Sequence, residues 1–259
     1  MDDLRILRDG AIATVVLNRP EKRNAITVEM WEAIPRALRR LEGDGAVRVV
    51  VVRGAGEEAF ASGADISEFE RVRSDARTAR AYSATVAAAE RALASFPRPT
   101  IAMIHGFCVG GGLEVALACD LRWASRRARL GITAARLGIV YSLGATRRLA
   151  SIVGPSHARD LLLSGRLVDA DEARAMGLVN WVCEPEALEG ETYAYARLLA
   201  QQAPISQRGA KAMLQHLIGE GGMTEADLAA LEERAYESDD YREGVRAFLE
   251  RRPPRFGGR

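Results

Sequence analysis

The chain is poor in cysteine, almost free of lysine and short of aromatic side chains, which make up 6% of its 259 residues. Cys108, Cys119 and Cys183 are odd in number and widely spaced. That excludes a disulfide framework or a zinc knuckle and points to reduced thiols in a cytoplasmic setting. No run of eighteen apolar residues occurs, so no transmembrane helix is expected. The opening MDDLRILRDG has no apolar core of the kind a secretion signal needs. Charge of one sign is also missing: 36 basic residues face 35 acidic ones, for a net charge of +1. A broad nucleic-acid footprint is thereby excluded. Of the basic residues only Lys22 and Lys211 are lysine, a bias that fits a GC-rich coding sequence, with arginine-specific recognition reserved for single sites. No metal is expected. His105 closes an apolar strand as a structural residue, and His157 and His216 have no second ligand at i+4.

What is present is ample core material, 48% apolar, in a length that suits one large α/β domain or a core with an appendage. Strands are expected at Ile12–Leu17, Val47–Val52, Thr100–Ile104, Leu121–Ala124 and Leu178–Val182. Between them, Thr27 caps a helix running to about Leu41, and Arg71–Ala94 reads as one alanine- and arginine-rich helix. Gly54–Ile66 reads as a loop. Ala145–Val153 and Ser156–Leu163 read as short helices, and Asp169 caps another that ends near Gly177. Past residue 186 only helices are expected: Ala187–Gln202, Ile205–Ile218, Glu225–Glu237 and Tyr241–Glu250. Strand–helix alternation that stops near residue 182 predicts an α/β core over 1–190 and a helical module over 191–259.

Chemistry concentrates in Ile101–Asp120, IAMIHGFCVGGGLEVALACD. An apolar strand runs into Gly110-Gly111-Gly112 and then into a helix. Glycines allow close backbone approach, and the first N–H groups of a helix have no internal partner and face its positive dipole end. Such a turn stabilises an anion that develops during a reaction. Glu114 follows at once among apolar neighbours, where desolvation raises a carboxyl towards the range useful for proton transfer. A bland alternative stands beside this, because glutamate in a first helical turn is a common capping residue. Phe60–Phe69, FASGADISEF, is a second small-residue segment able to turn an N–H towards a ligand, and Asp65 should cap the turn after it. Cys108 lies close by without a base and reads as packing. Gly54-Ala55-Gly56-Glu57-Glu58-Ala59 satisfies G-x-G-x-x-A after a strand, but Gly63 breaks the helix that dinucleotide binding would require. Arg126-Arg127 and Arg147-Arg148 read as solvated or interfacial pairs.

Taken in order, NRPEKRNAI (18–26), ASGADI (61–66), HGFCVGGGLEVALACD (105–120), the 137–154 segment in outline, ARAMGLV (173–179) and EGVRAFLERR (243–252) resemble the enoyl-CoA hydratase/isomerase (crotonase) family over nearly the whole chain. The resemblance implies a spiral of ββα turns, a helical C-terminal trimerisation module, an acyl-coenzyme A substrate and a homotrimer or dimer of trimers. It needs no cofactor beyond the coenzyme A of the substrate. It places oxyanion donors on the backbone N–H of Ala64 and Gly111, and a catalytic carboxylate at Glu114. It assigns coenzyme A contacts to Lys22, Arg23, Ala25, Ala61, Asp65 and Ile66, and adenine contacts on a neighbouring subunit to Phe248 and Arg251.

Two positions depart from the pattern. Hydratases of the family carry a second glutamate four residues before a glycine, here Gly138, and that position is Ala134. Alanine cannot activate water, so hydration, if it occurs, should be slow. Where most hydratases have Pro-Gly, this chain has Tyr141-Ser142. A tyrosine there resembles the family's acyl-CoA decarboxylases, such as methylmalonyl-CoA decarboxylase, in which Tyr141 would supply hydrogen bonding, although that decarboxylase carries histidine at the position of Ala64. The expected activity is an acyl-CoA lyase of hydratase type. The alternatives are a malonyl-type decarboxylase and an acyl-CoA-binding protein that has lost its chemistry.

Overall fold

A computed structural model describes residues 3–258. In chain order the elements are β1 (Leu4–Asp9), β2 (Ile12–Leu17), α1 (Val28–Gly43), β3 (Val49–Gly54), β4 (Ala59–Ala61), α2 (Phe69–Val72), α3 (Ala76–Ala94), β5 (Thr100–Ile104) and β6 (Phe107–Val109). Then come α4 (Gly111–Ala118), β7 (Leu121–Ser125), β8 (Arg129–Gly131), α5 (Leu143–Ser164), β9 (Leu167–Asp169), α6 (Ala170–Ala175) and β10 (Trp181–Cys183). The chain ends in α7 (Leu188–Ala200), α8 (Pro204–Leu217), α9 (Glu225–Glu237) and α10 (Asp239–Leu249). No helix of the described residues is long and apolar enough to cross a membrane.

The strands form two sheets, one in the order β1-β2-β3-β5-β7-β10 and one in the order β4-β6-β8-β9. All neighbours are parallel except the β1–β2 and β8–β9 pairs. Parallel central strands covered on both faces should read as unbroken apolar runs, and they do. Val50 and Val52 turn into the main core with Leu17, Ile104 and Leu113, whereas Val49 and Val51 join a second cluster with Ile101, Met103 and Trp123. Helix α7 closes that second face with Leu188 and Ala196, and Tyr193 Oη meets Thr14 Oγ1 at 2.7 Å.

The smaller sheet is a finding that composition did not announce. Its strands have three residues each, too few for an alternation to register, and two of them lie inside stretches read as a loop and a glycine turn. Strand β1 was missed for another reason: it is an edge strand with almost every side chain exposed. The expected helix at 71–94 is broken in two, because Asp75 accepts from the Thr78 amide at 2.7 Å while Thr78 Oγ1 accepts from the Asp75 amide at 3.1 Å. This reciprocal cap restarts the helix at Ala76. After Gly54-Ala55-Gly56 the chain enters β4 rather than a helix, which removes the dinucleotide reading.

Candidate active site

Parallel pairing of β4 with β6, Ala59 opposite Phe107 and Ala61 beside Cys108, makes two chain segments leave the small sheet side by side. One becomes Ser62-Gly63-Ala64 and the other Gly110-Gly111. Gly63 (φ +118°) and Gly110 (φ +51°) take conformations that a Cβ would penalise. At Gly112 the constraint is space, since a Cβ there would stand 2.3 Å from the Ala61 carbonyl oxygen.

The outcome is two adjacent amides. A Cβ on Gly111 would lie 3.4 Å from the Ala64 nitrogen, and one on Gly63 would lie 3.9 Å from the Gly111 nitrogen. The bonds around them use their neighbours instead. Ile26 N–H donates to the Gly63 carbonyl (2.8 Å), Asp65 N–H to the Ile26 carbonyl (2.9 Å) and Gly110 N–H to the Gly131 carbonyl (2.9 Å). Among the described residues no backbone carbonyl accepts from Ala64 or from Gly111. Gly111 also opens α4, where the helix dipole adds positive potential.

The 22–26 segment is tied to the same crossing. After a 3₁₀ turn at Pro20–Lys22, Arg23 and Asn24 both take positive φ. Ser62 N–H donates to the Arg23 carbonyl (2.9 Å). The Asn24 side chain is fully buried, donating to the carbonyls of Ala55 (3.0 Å) and Ala59 (2.7 Å) and accepting from Arg19 N–H (3.0 Å). Lys22, Arg23, Ala25, Ala61, Asp65 and Ile66 thus gather at one place, with Lys22 and Arg23 exposed and Ala61 buried. Arg23 meets Glu58 at 2.5 Å. Asp65 caps the next turn through Ser67 and pairs with Arg19 at 2.8 Å, and these bonds hold its carboxyl below the usual range. Phe248 and Arg251 are not brought there within one chain. Phe248 is exposed at the end of α10 and lines a groove with Tyr241 and Phe256 that shares no residue with the site, and Arg251 is exposed just beyond it.

From the amides a cavity of about 100 Å³ runs between Trp31, Ala64, Gly111, Glu114 and Ala134. A second compartment of about 310 Å³ adjoins it, and Arg73, Val86, Glu114, Ile139 and Tyr141 line both. Glu114 therefore stands on the boundary that the two share. Burial, with the nearby Glu90 as a second cause, pushes its carboxyl up to about 8. Tyr141 Oη is buried and makes no hydrogen bond among the described residues, yet lies close enough to Glu114 for each to move the other. Burial and that carboxyl raise the phenol well above its usual range. Ala134, the position at which the resemblance leads one to expect a second glutamate, lies on the cavity wall.

Three features escaped sequence reasoning. Asn24 is a structural knot that sequence reasoning placed within NRPEKRNAI without giving it a role of its own. Arg148, expected at the surface, is buried: it meets Glu90 at 3.4 Å and Glu220 at 3.1 Å. The nearest acidic partner is 58 positions away in sequence, so no local spacing could reveal the pairing. Arg73 lies in the break between α2 and α3, a break that the Asp75–Thr78 capping pattern could have signalled. Cys108 and His105 are as expected, both buried, and burial raises the thiol and lowers the imidazole.

The model of the enoyl-CoA hydratase/isomerase family matches residues 8–259. A protein of Thermus thermophilus provisionally named an enoyl-CoA hydratase is 42% identical over 249 residues, covering 95% of this chain and 98% of that one. The crotonyl-CoA hydratase of Syntrophomonas wolfei is 33% identical over 260 residues, covering 98% of each. Among solved structures, an enoyl-CoA hydratase/carnitine racemase of Magnetospirillum magneticum is 39% identical. It superposes with a TM-score of 0.95, covering 100% of this chain and 97% of that one.

Proposed function

The chain belongs to the enoyl-CoA hydratase/isomerase family, and we propose that it is an acyl-CoA lyase that hydrates a 2-enoyl thioester through an enolate. The observation that carries the reading is the placement of two unengaged amides, on Ala64 and Gly111, beside a carboxyl held near 8. A thioester oxygen bound between the amides gains charge as the enolate forms. One preorganised donor of this kind contributes about 3 kcal/mol to the transition state.

Glu114 carries both proton transfers. As a carboxylate it takes a proton from water while the water oxygen bonds to the β-carbon and the π electrons move to the thioester oxygen. As an acid it then returns that proton to the α-carbon as the enolate collapses, which restores the carboxylate. A pKa near the working pH suits a group that must do both. Tyr141 lies close enough to lower the pKa of that carboxyl. With alanine at 134 one group does work that two glutamates would share, so hydration is slow. The step as written uses no redox group. Lys22, Arg23, Ala25, Ala61, Asp65 and Ile66 hold coenzyme A, and residues 191–259 form the oligomerisation module that brings Phe248 and Arg251 to a neighbour's adenine.

The deciding assay is a panel of crotonyl-CoA, longer 2-enoyl-CoAs, 3-enoyl-CoAs and methylmalonyl-CoA. Slow hydration of a 2-enoyl-CoA that disappears in Glu114→Gln is the expected result. The unpartnered Tyr141 hydroxyl favours one second reading, decarboxylation of a malonyl-type thioester. Carbon dioxide released from methylmalonyl-CoA and lost in Tyr141→Phe would put that reaction in place of hydration. Coenzyme A binding with no turnover of any thioester would leave only a binding protein.

A further inference from the structure

The larger compartment contains a cation without a counter-charge. Arg73 lines both parts of the cavity, and among the described residues its buried Nε has no hydrogen-bond partner. Among the described residues it enters no ion pair, unlike Arg71 two positions earlier, which pairs with Glu68 at 2.8 Å. Its guanidinium is instead wedged against two rings, 4.4 Å from the Phe69 centroid and 4.6 Å from that of Tyr82. Tyr82 is fixed in turn, because its oxygen accepts from Trp31 Nε1 at 3.2 Å. The cation is thus held in place by packing and left electrostatically open. Glu114, which lines the same cavity, forms no ion pair with it among the described residues, and Glu90 is occupied by Arg148.

The remaining surroundings are small. Ala79, Ser83 and Ala87 recur at i, i+4 and i+8 on one face of α3 and leave room beside the guanidinium. A neutral alkyl chain would gain apolar contact here but would leave a buried donor unsatisfied, which is costly. A carboxylate on the acyl group would satisfy that donor with a charge-assisted bond of the kind arginine forms best. The coenzyme A phosphates are a poorer match, because neither Lys22 nor Arg23 lines either part of the cavity.

We propose that Arg73 selects acyl-CoA substrates whose acyl group carries a carboxylate, pairing with it beyond Glu114 in the larger compartment. The inference rests on the acyl-CoA reading of the site, but its test can be separated from turnover. Butyryl-CoA, methylmalonyl-CoA and glutaryl-CoA share the coenzyme A moiety and differ in the acyl group, and calorimetry gives a dissociation constant for each. The expected result is that one carboxylated thioester binds at least about tenfold more tightly than butyryl-CoA, as a single charged hydrogen bond implies. In Arg73→Leu the ratio between the two ligands collapses to within about twofold. Each ratio is taken within one protein, and Arg73→Gln, which keeps a donor without the charge, should retain only part of the preference. Which of the two carboxylated ligands is favoured fixes how far along the acyl group the carboxylate sits. A preference for butyryl-CoA, equal binding of all three, or a preference that survives Arg73→Leu would overturn the inference. Failure of all three to bind would instead sink the acyl-CoA reading itself.

Discussion

Glu90 and Glu114 stand on α3 and α4, two helices packed against each other, and burial raises both carboxyls above their ordinary range. Their surroundings diverge from there. Glu90 has Arg148 at 3.4 Å, and Arg148 also holds Glu220 at 3.1 Å, so three charged groups from α3, α5 and the loop after α8 close one buried network. Among the described residues Glu114 enters no ion pair; it opens into the cavity with the Tyr141 phenol close by. Burial alone does not make a carboxyl reactive. With a counter-ion it becomes a cross-link between helices, and without one it keeps a proton it can give up near neutrality.

The strongest way to break this contrast is to remove each carboxyl. Glu114→Gln should lower turnover by at least about a thousandfold, the scale of a lost acid–base group, in a steady-state assay on the best panel substrate. Its effect on the fold has the opposite sign. A carboxyl raised from 4.5 to about 8 holds its proton more tightly in the folded state, so its ionisation erodes stability as pH rises through that interval. Glutamine removes the penalty. The melting temperature of Glu114→Gln should match that of the parent at pH 4 and exceed it by about 10 °C at pH 9. Loss of turnover together with loss of stability at every pH would mean that Glu114 is structural after all.

Next in size is the network behind Glu90. Arg148→Met strands two buried carboxylates and should cost about 4 kcal/mol in denaturant unfolding near neutral pH. Glu90→Gln leaves Arg148 its contact with Glu220 and should cost less. A result near zero for Arg148→Met would remove the distinction between the two glutamates. The smallest effect is expected from Tyr141→Phe. The phenol holds the Glu114 carboxyl somewhat lower than burial would leave it, so its loss should move the inflection in kcat/KM above about 8. For hydration the carboxylate is the competent form, and kcat/KM should rise with pH up to that inflection. A rate that falls across the same range would identify the protonated form as the competent one, as decarboxylation requires.

Much of this site could be read in the sequence because its chemistry is local. Gly110 to Glu114 carries donor, dipole and acid within one helical turn, and Ala61 to Ile66 is equally compact. What stayed hidden was fixed by distance along the chain. The strands of the smaller sheet, which bring those two segments together, are three residues long and carry no periodic signal. Arg148 resembled its exposed neighbour Arg147 until its partners at positions 90 and 220 were in place. Arg73 falls inside the stretch 71–94 that reads as one helix, and only the cap at Asp75 separates it from α3. Ala134 was the opposite case: an absence visible in the sequence that turned out to lie on the cavity wall.

The most direct measurement is the infrared stretch of a ¹³C-labelled thioester carbonyl in a bound, unreactive acyl-CoA. Two amides converging on that oxygen should lower its frequency well below the value in water, and Glu114→Gln should retain most of the shift. A carbonyl that vibrates in the complex as it does in solution would show that the amides of residues 64 and 111 do not act on it, whatever else the protein binds.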